Sequence, residues 1–298
     1  MYANKQTYTG IIPPIITPLR EDRSLDVEGL QRLIDFDIAG GVTGIFAMGS
    51  SGEAMMTSRQ VWLDTLKHAV KHTAGRAKVF CGVIDTSTTR VIENIKAAEQ
   101  VGAEIMVATT SFYLQNSCQD EIIRHYETIA KSTKSKLVVY NIPGMTHAPI
   151  APDTIRELAQ IDNIVAYKDS CADWEAFQRV LFLLEDRDIA VFNGAEELCS
   201  AAMIFGAQGC VPGLANFFPK MFVDMFAACK QGDTQTAYRL QKEVWDLRKV
   251  LSVGKHWMSA MKHIGAEMGF GSDIASLPVE PLTAAQAAQI DSIVKRFR

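Results

Sequence analysis

Residues 164–170, Ile164-Val165-Ala166-Tyr167-Lys168-Asp169-Ser170, form an apolar, β-branched run that stops at a lysine. The previous run of this kind closes 28 residues earlier, at Tyr140. A strand without polar alternation is buried on both faces, and strands that alternate with helices run parallel. Further runs end near Ile16, Ala47, Gly82, Ala108, Phe192 and Val211, so that successive ends lie 19 to 35 residues apart. Each interval fits one strand–helix–strand unit. Eight such units predict a closed α/β barrel of the (β/α)8 TIM type rather than an open doubly wound sheet, which is the alternative arrangement.

The intervening segments have helical periodicity. Leu30, Leu33, Ile34 and Ile38 share one face of 25–39; Leu63, Leu66 and Val70 share one of 61–70; Val91, Ile95 and Ala98 share one of 89–101. Asp26, Ser58, Asp120 and Asp153 stand where N-caps are expected. After Val211 the pattern becomes mostly helical, over 218–232, 234–253, 253–268 and from Thr283 onward. That predicts a barrel over residues 1–225 and a C-terminal helical appendage, 226–298, packed on it.

The chain has 298 residues, 48% of them apolar, and a net charge of −4 without clustering by sign. No basic surface for nucleic acid and no polybasic membrane patch is expected. The polar start, 1–8, lacks an apolar signal region, and the most apolar stretch, 198–229, is interrupted too often by polar residues and proline to span a bilayer. Six scattered cysteines without a Cys-x-x-Cys pair point to reduced thiols and a cytoplasmic location. His68 and His72 have the spacing of a metal pair but no third ligand nearby, so no metal is expected. No glycine fingerprint for a dinucleotide follows the first strand.

Barrel enzymes carry their reactive groups at the carboxyl ends of strands and in the loops that follow. There this chain has Gly49-Ser50-Ser51-Gly52-Glu53, Thr109-Thr110-Ser111-Phe112-Tyr113, Tyr140-Asn141-Ile142-Pro143-Gly144, Tyr167-Lys168-Asp169-Ser170 and Asn193-Gly194-Ala195-Glu196-Glu197. A lysine at the end of an apolar strand is desolvated, which lowers its pKa and frees a nucleophilic amine. The competing reading has Lys168 snorkelling to solvent or pairing with Asp169. The loop at 49–52, leading into a helix, offers backbone N–H groups and two hydroxyls to a small anion such as a carboxylate, or is an ordinary capped turn. Glu53 is either a first-turn carboxylate favoured by the helix dipole or a support for the loop. Tyr140 is either packing or a proton shuttle. Jointly, an amine, a carboxylate cradle and a phenol are what Schiff-base chemistry on a 2-oxo acid requires.

In this combination the chain resembles the dihydrodipicolinate synthase / N-acetylneuraminate lyase family of pyruvate-dependent class I aldolases, over essentially its full length. The motifs that carry the resemblance are Gly-Ser-Ser-Gly-Glu at 49–53, Tyr-Asn-Ile-Pro at 140–143 and Tyr-Lys-Asp at 167–169. Ile12-Pro13-Pro14 through Thr17-Pro18 and Gly213-Leu214-Ala215-Asn216 add to it. The resemblance implies that Lys168 condenses with the ketone of pyruvate or a related 2-oxo acid, without metal or other cofactor. The protonated imine is then the electron sink for loss of a C3 proton. It further implies that Tyr140 relays protons with help from the Ser50 hydroxyl, and that Ser50 and Ser51 bind the substrate carboxylate. Val211 and Thr146 fall with the residues that line the substrate pocket. Tyr113 stands where the family has a tyrosine that reaches into a neighbouring subunit, so a homodimer or homotetramer is expected.

The family divides by its second substrate. Dihydrodipicolinate synthases carry an arginine two positions after the Tyr-Asn-x-Pro proline, where it binds the carboxylate of aspartate semialdehyde; here that position is Met145. A thioether cannot replace the charged fork, so that activity would need Arg20, Arg248 or His147 to substitute. Asn193-Gly194-Ala195-Glu196-Glu197 is similar to the stretch of sialic acid lyases whose acidic side chains bind sugar hydroxyls, although Ala195 replaces its tyrosine and Glu196 its aspartate. The resemblance thus points to a hydroxylated aldehyde partner, as in a 2-keto-3-deoxy sugar acid aldolase, with Gly194, Glu196 and Glu197 binding it. A Schiff-base dehydratase shares the same residues, and a non-enzymatic 2-oxo acid binder on the same barrel is the remaining alternative.

Overall fold

The computed structural model describes residues 2–114, 116 and 118–298. Its strands are β1 (Gly10–Ile11), β2 (Gly44–Ala47), β3 (Lys78–Gly82), β4 (Ile105–Thr109), β5 (Lys136–Asn141), β6 (Ile164–Asp169), β7 (Ala190–Asn193) and β8 (Gly209–Cys210). All pairings are parallel, in the order β1-β8-β7-β6-β5-β4-β3-β2. The segment after β1 meets β2 through Thr43 N–H to Ile11 O, Phe46 N–H to Pro13 O and Ile15 N–H to Phe46 O, which completes the ring. The (β/α)8 barrel expected from the eight apolar runs is therefore present, with further helices at its C-terminal end.

Two apolar layers hold it together. The larger lies between strands and helices and includes Leu33, Ile45, Leu66, Ile95, Met106, Ile129, Val139 and Phe222. The smaller fills the barrel and includes Ile12, Phe46, Phe80, Val107, Val138, Tyr140, Phe192 and Val211. Alternate residues of a strand face opposite sides, so Val107 and Val138 point inward while Met106 and Val139 point to the helices.

In β6 that alternation is shifted. Leu137 pairs with Ile164 but Val138 pairs with Ala166, leaving Val165 as an extra residue. Such a bulge re-aims the residues beyond it. Tyr167 consequently packs in the outer layer, whereas Lys168 faces inward as the register partner of Tyr140 and of Phe192.

Several helix starts follow the sequence closely. Asp26 caps Val27–Ala39 through Gly29 N–H, and Ser58 caps Arg59–Thr73 through Val61 N–H. Two expected caps are corrected. The helix Gln119–Ser132 begins after Cys118, with Asp120 in its first turn, and Pro152–Leu158 begins after Ala151, with Asp153 in its first turn. A carboxylate in the first turn favours the positive end of the helix dipole without capping an N–H, so composition alone does not distinguish the two placements. The first and last strands are also shorter than the apolar runs: β1 stops at Ile11 and β8 at Cys210 rather than near Ile16 and Val211. Pro13, Pro14 and Pro212 supply no N–H to a ladder.

Beyond β8 come Pro219–Gln231, Thr234–Leu247, a 3-10 turn Arg248–Ser252, Trp257–Glu267 and Ala284–Val294. The first of these packs on β1 and contains residues 225 and 226, so the boundary expected between barrel and appendage falls inside one helix. No helix among the described residues is long and apolar enough to cross a membrane.

Candidate active site

The bulge in β6 and the end of β5 place Lys168 and Tyr140 side by side at the carboxyl end of the barrel. The Lys168 ammonium lies 3.9 Å from the centroid of the Tyr140 ring and 4.9 Å from that of Phe46. Only 4% of Lys168 is exposed, so it does not snorkel. Burial lowers its pKa from the ordinary lysine value, with the Tyr140 hydroxyl acting in the opposite sense. A larger share of the amine is therefore unprotonated near neutrality than in a lysine in water.

Asp169 is not the partner of that amine. It points outward, where Tyr167 Oη–H donates to Oδ2, Asn141 Nδ2–H donates to Oδ2 at 2.9 Å and Cys171 N–H donates to Oδ1 at 2.8 Å. These bonds tie the ends of β5 and β6 together beside Lys168 and Tyr140. Sequence reasoning missed this network, because it depends on the outward phase that the bulge sets. Ser170 Oγ lies 3.4 Å from Tyr140 Oη, a second polar contact of the phenol that was not anticipated.

The Ser50-Ser51 loop follows β2 but does not open directly into a helix, as its glycines suggested. Turns continue to Met56, and the helix begins only at Arg59. Met48 and Glu53 both have positive φ (56° and 58°), which breaks helical continuation on either side of the two serines. The loop is held from outside. Thr17 Oγ1–H donates to Gly52 O at 2.6 Å, and Ser276 N–H donates to Glu53 Oε2 at 2.5 Å. The Lys262 ammonium, from the helix Trp257–Glu267, lies 2.8 Å from Glu53 Oε1 and also donates to Thr17 O. Both side chains of this ion pair are fully buried. Glu53 thus supports the loop; Lys262 gave no signal in the sequence, where it reads as one more helical lysine.

Ser50 and Thr146 line one cleft at the barrel mouth, together with Thr109, the sheet partner of Tyr140. Val211 and Phe192 close the barrel interior beneath Lys168. Gly194, Glu196 and Glu197 line a second cleft with Ser170 and Arg248, and Trp257 forms a wall of both. Arg248 bridges the acidic pair, its Nε 3.3 Å from Glu196 and its Nη2 3.2 Å from Glu197. Leu214 N–H donates to Glu196 Oε1 at 2.7 Å. Burial raises the Glu196 pKa, opposed by that N–H and by the guanidinium. Arg20 and His147 are exposed and line neither cleft. Tyr113 is 97% exposed, so within one chain it does not join Lys168 and Tyr140.

At Gly194 the backbone passes so close to the site that a Cβ would lie 2.2 Å from Ser170 Oγ and 3.0 Å from Lys168 Cε. Gly194→Ala should therefore displace both side chains and slow borohydride-trapped pyruvate adduct formation about 100-fold, a cost typical of ångström-scale misplacement. An unchanged trapping rate, read by intact mass, would show that the site relaxes without loss.

Comparison with known proteins places the chain in a family. A model of the Dihydrodipicolinate synthetase family matches residues 7–297. A 4-hydroxy-tetrahydrodipicolinate synthase of Laribacter hongkongensis is 34% identical over 245 residues, covering 82% of this chain and 83% of the relative. One of Aromatoleum aromaticum is 30% identical over 97% of this chain and 98% of the relative. Among solved structures, dihydrodipicolinate synthase of Bacteroides thetaiotaomicron superposes with a TM-score of 0.92 at 32% identity, covering 97% of this chain and 98% of that one. A prophage protein of the dihydrodipicolinic acid synthase family from E. coli K12, solved in complex with pyruvate, gives 0.92 at 25% identity, with the same coverage. The chain belongs to the dihydrodipicolinate synthetase family and is an enzyme of the class I aldolase type.

Proposed function

We propose that this protein is a Schiff-base aldolase or lyase acting on pyruvate or a pyruvate-releasing 2-oxo acid. The observation that carries the reading is a buried, desolvated Lys168 against the Tyr140 ring at the carboxyl end of a barrel. Its neutral amine attacks the ketone carbon, and loss of water leaves an imine. Protonation of the imine nitrogen makes the C3 proton labile, and its removal leaves a nucleophilic enamine. Tyr140, which lies between Lys168 and Ser170, carries these protons in this reading, and Ser50, which lines the cleft, holds the carboxylate together with Ser51. The residues themselves supply every step, so no metal or other cofactor enters the scheme.

Intact-mass analysis after borohydride reduction tests this directly: a pyruvate-dependent adduct is expected, and its absence in folded protein would overturn the reading. Tyr140→Phe should still form the imine but turn over about 100- to 10,000-fold more slowly, as expected when a general acid–base is lost. Equal rates in the two proteins would remove Tyr140 from proton transfer.

The two relatives are named 4-hydroxy-tetrahydrodipicolinate synthase. Met145 lines the first cleft and offers no charge, and Arg248 is already engaged by two glutamates, so neither favours a carboxylated aldehyde. A hydroxylated aldehyde would have to share Glu197 with Arg248. The exposed Tyr113 and Leu114 support a homodimer or homotetramer, which sedimentation would measure. The thiols lie unpaired in the structure, in keeping with a reducing cytoplasm.

A further inference from the structure

The two clefts that meet at Trp257 differ in chemistry. The second is acidic, and its two glutamates share the single guanidinium of Arg248. The first, about 250 Å³, is walled by Met55, Met56, Phe112, Ile142, Met145 and Trp257, drawn from three barrel loops and the C-terminal appendage. It reaches the reacting groups through Ser50 and through Thr109, the neighbour of Tyr140. No lysine or arginine is among its described lining residues, and its one carboxylate, Glu53, is neutralised by Lys262 and bonded to Ser276 N–H. Its histidine, His256, stacks on Trp257 and accepts from Met258 N–H through Nδ1.

We propose that this cleft receives the side chain of the aldehyde partner, and that the partner is apolar, an aliphatic or aromatic aldehyde. The inference rests on the Schiff-base reading of Lys168. A carboxylated chain would find no cation here, and beyond Ser50, Thr109, Thr146, His256 and the paired Glu53 a polyol would meet only methionine, aromatic and aliphatic side chains in the described lining. Thioethers with rotatable stems adapt to apolar groups of varied shape, and the volume suits one ring or a short alkyl chain. In the condensation the enamine C3 bonds to the aldehyde carbon and the aldehyde oxygen gains a proton. Water then releases Lys168. The product is a 4-hydroxy-2-oxo acid containing all the atoms of both substrates, and retro-aldol cleavage reverses the sequence.

The test compares kcat/KM of the whole protein for pyruvate with hexanal, benzaldehyde, D-glyceraldehyde and aspartate semialdehyde, alongside the borohydride adduct with pyruvate alone. Hexanal or benzaldehyde should exceed the two polar aldehydes at least about tenfold, the scale on which apolar pockets discriminate. Met145→Asn should shrink that preference about tenfold by raising KM for the apolar aldehyde rather than for pyruvate. A polar aldehyde preferred, no aldehyde accepted by protein that forms the adduct, or an equal effect of Met145→Asn on all four would each overturn the assignment. Failure to form the adduct would instead strike the underlying Schiff-base reading.

Discussion

Lys168→Ala should leave no borohydride-stable pyruvate adduct and lower turnover by at least about 10,000-fold, the scale of losing a covalent nucleophile. Among the described residues no other lysine lines the barrel interior or either cleft. Lys262 is as deeply buried, but its ammonium is held between Glu53 and Thr17 O. Alanine also opens space beside Tyr140 and Phe46, so Lys168→Met provides a control of similar volume that keeps the apolar contacts. Lys168→Met should unfold like the wild type or later, because a desolvated amine is removed from the interior while its volume is kept. An adduct that persists in either would move the chemistry to another lysine. The pH dependence of trapping supplies an independent check. Burial favours the neutral amine, so the rising limb of the rate should lie below 10.5, the ordinary lysine value.

The largest stability effect should come from the buried pair of Glu53 and Lys262. Removing one partner leaves the other ionised and without water, which typically costs about 3–5 kcal/mol. Lys262→Met should therefore lower the midpoint of denaturant unfolding sharply, and Glu53→Gln should do so by a comparable amount. The double variant should recover much of the loss, since two neutral side chains of similar size can replace a buried ion pair at little cost. The same pair joins the helix Trp257–Glu267 to the loop that carries Ser50 and Ser51, so the single variants should also raise KM for pyruvate. Single variants that each cost less than about 1 kcal/mol, or a double variant that is simply additive, would show that the loop is fixed by its other contacts.

What the sequence determined about this protein is the local and periodic part. Apolar runs at intervals of about one strand–helix–strand unit led to eight parallel strands, because strands buried on both faces cannot alternate with polar residues. The motifs at 49–53, 140–143 and 167–169 identified the family, which the match over residues 7–297 bears out. Only the tertiary structure decided which way the reactive groups face and what holds them. The bulge at Val165 turns Lys168 inward and Asp169 outward, and a one-residue phase change in an all-apolar strand leaves no mark in composition. The long-range pairs are equally silent along the chain: Glu53 meets Lys262 and Glu196 meets Arg248 across 209 and 52 residues of sequence. The methionine and aromatic walls of the first cleft likewise come from three separate strand-end loops and the helix Trp257–Glu267, and become one surface only when the barrel brings them together.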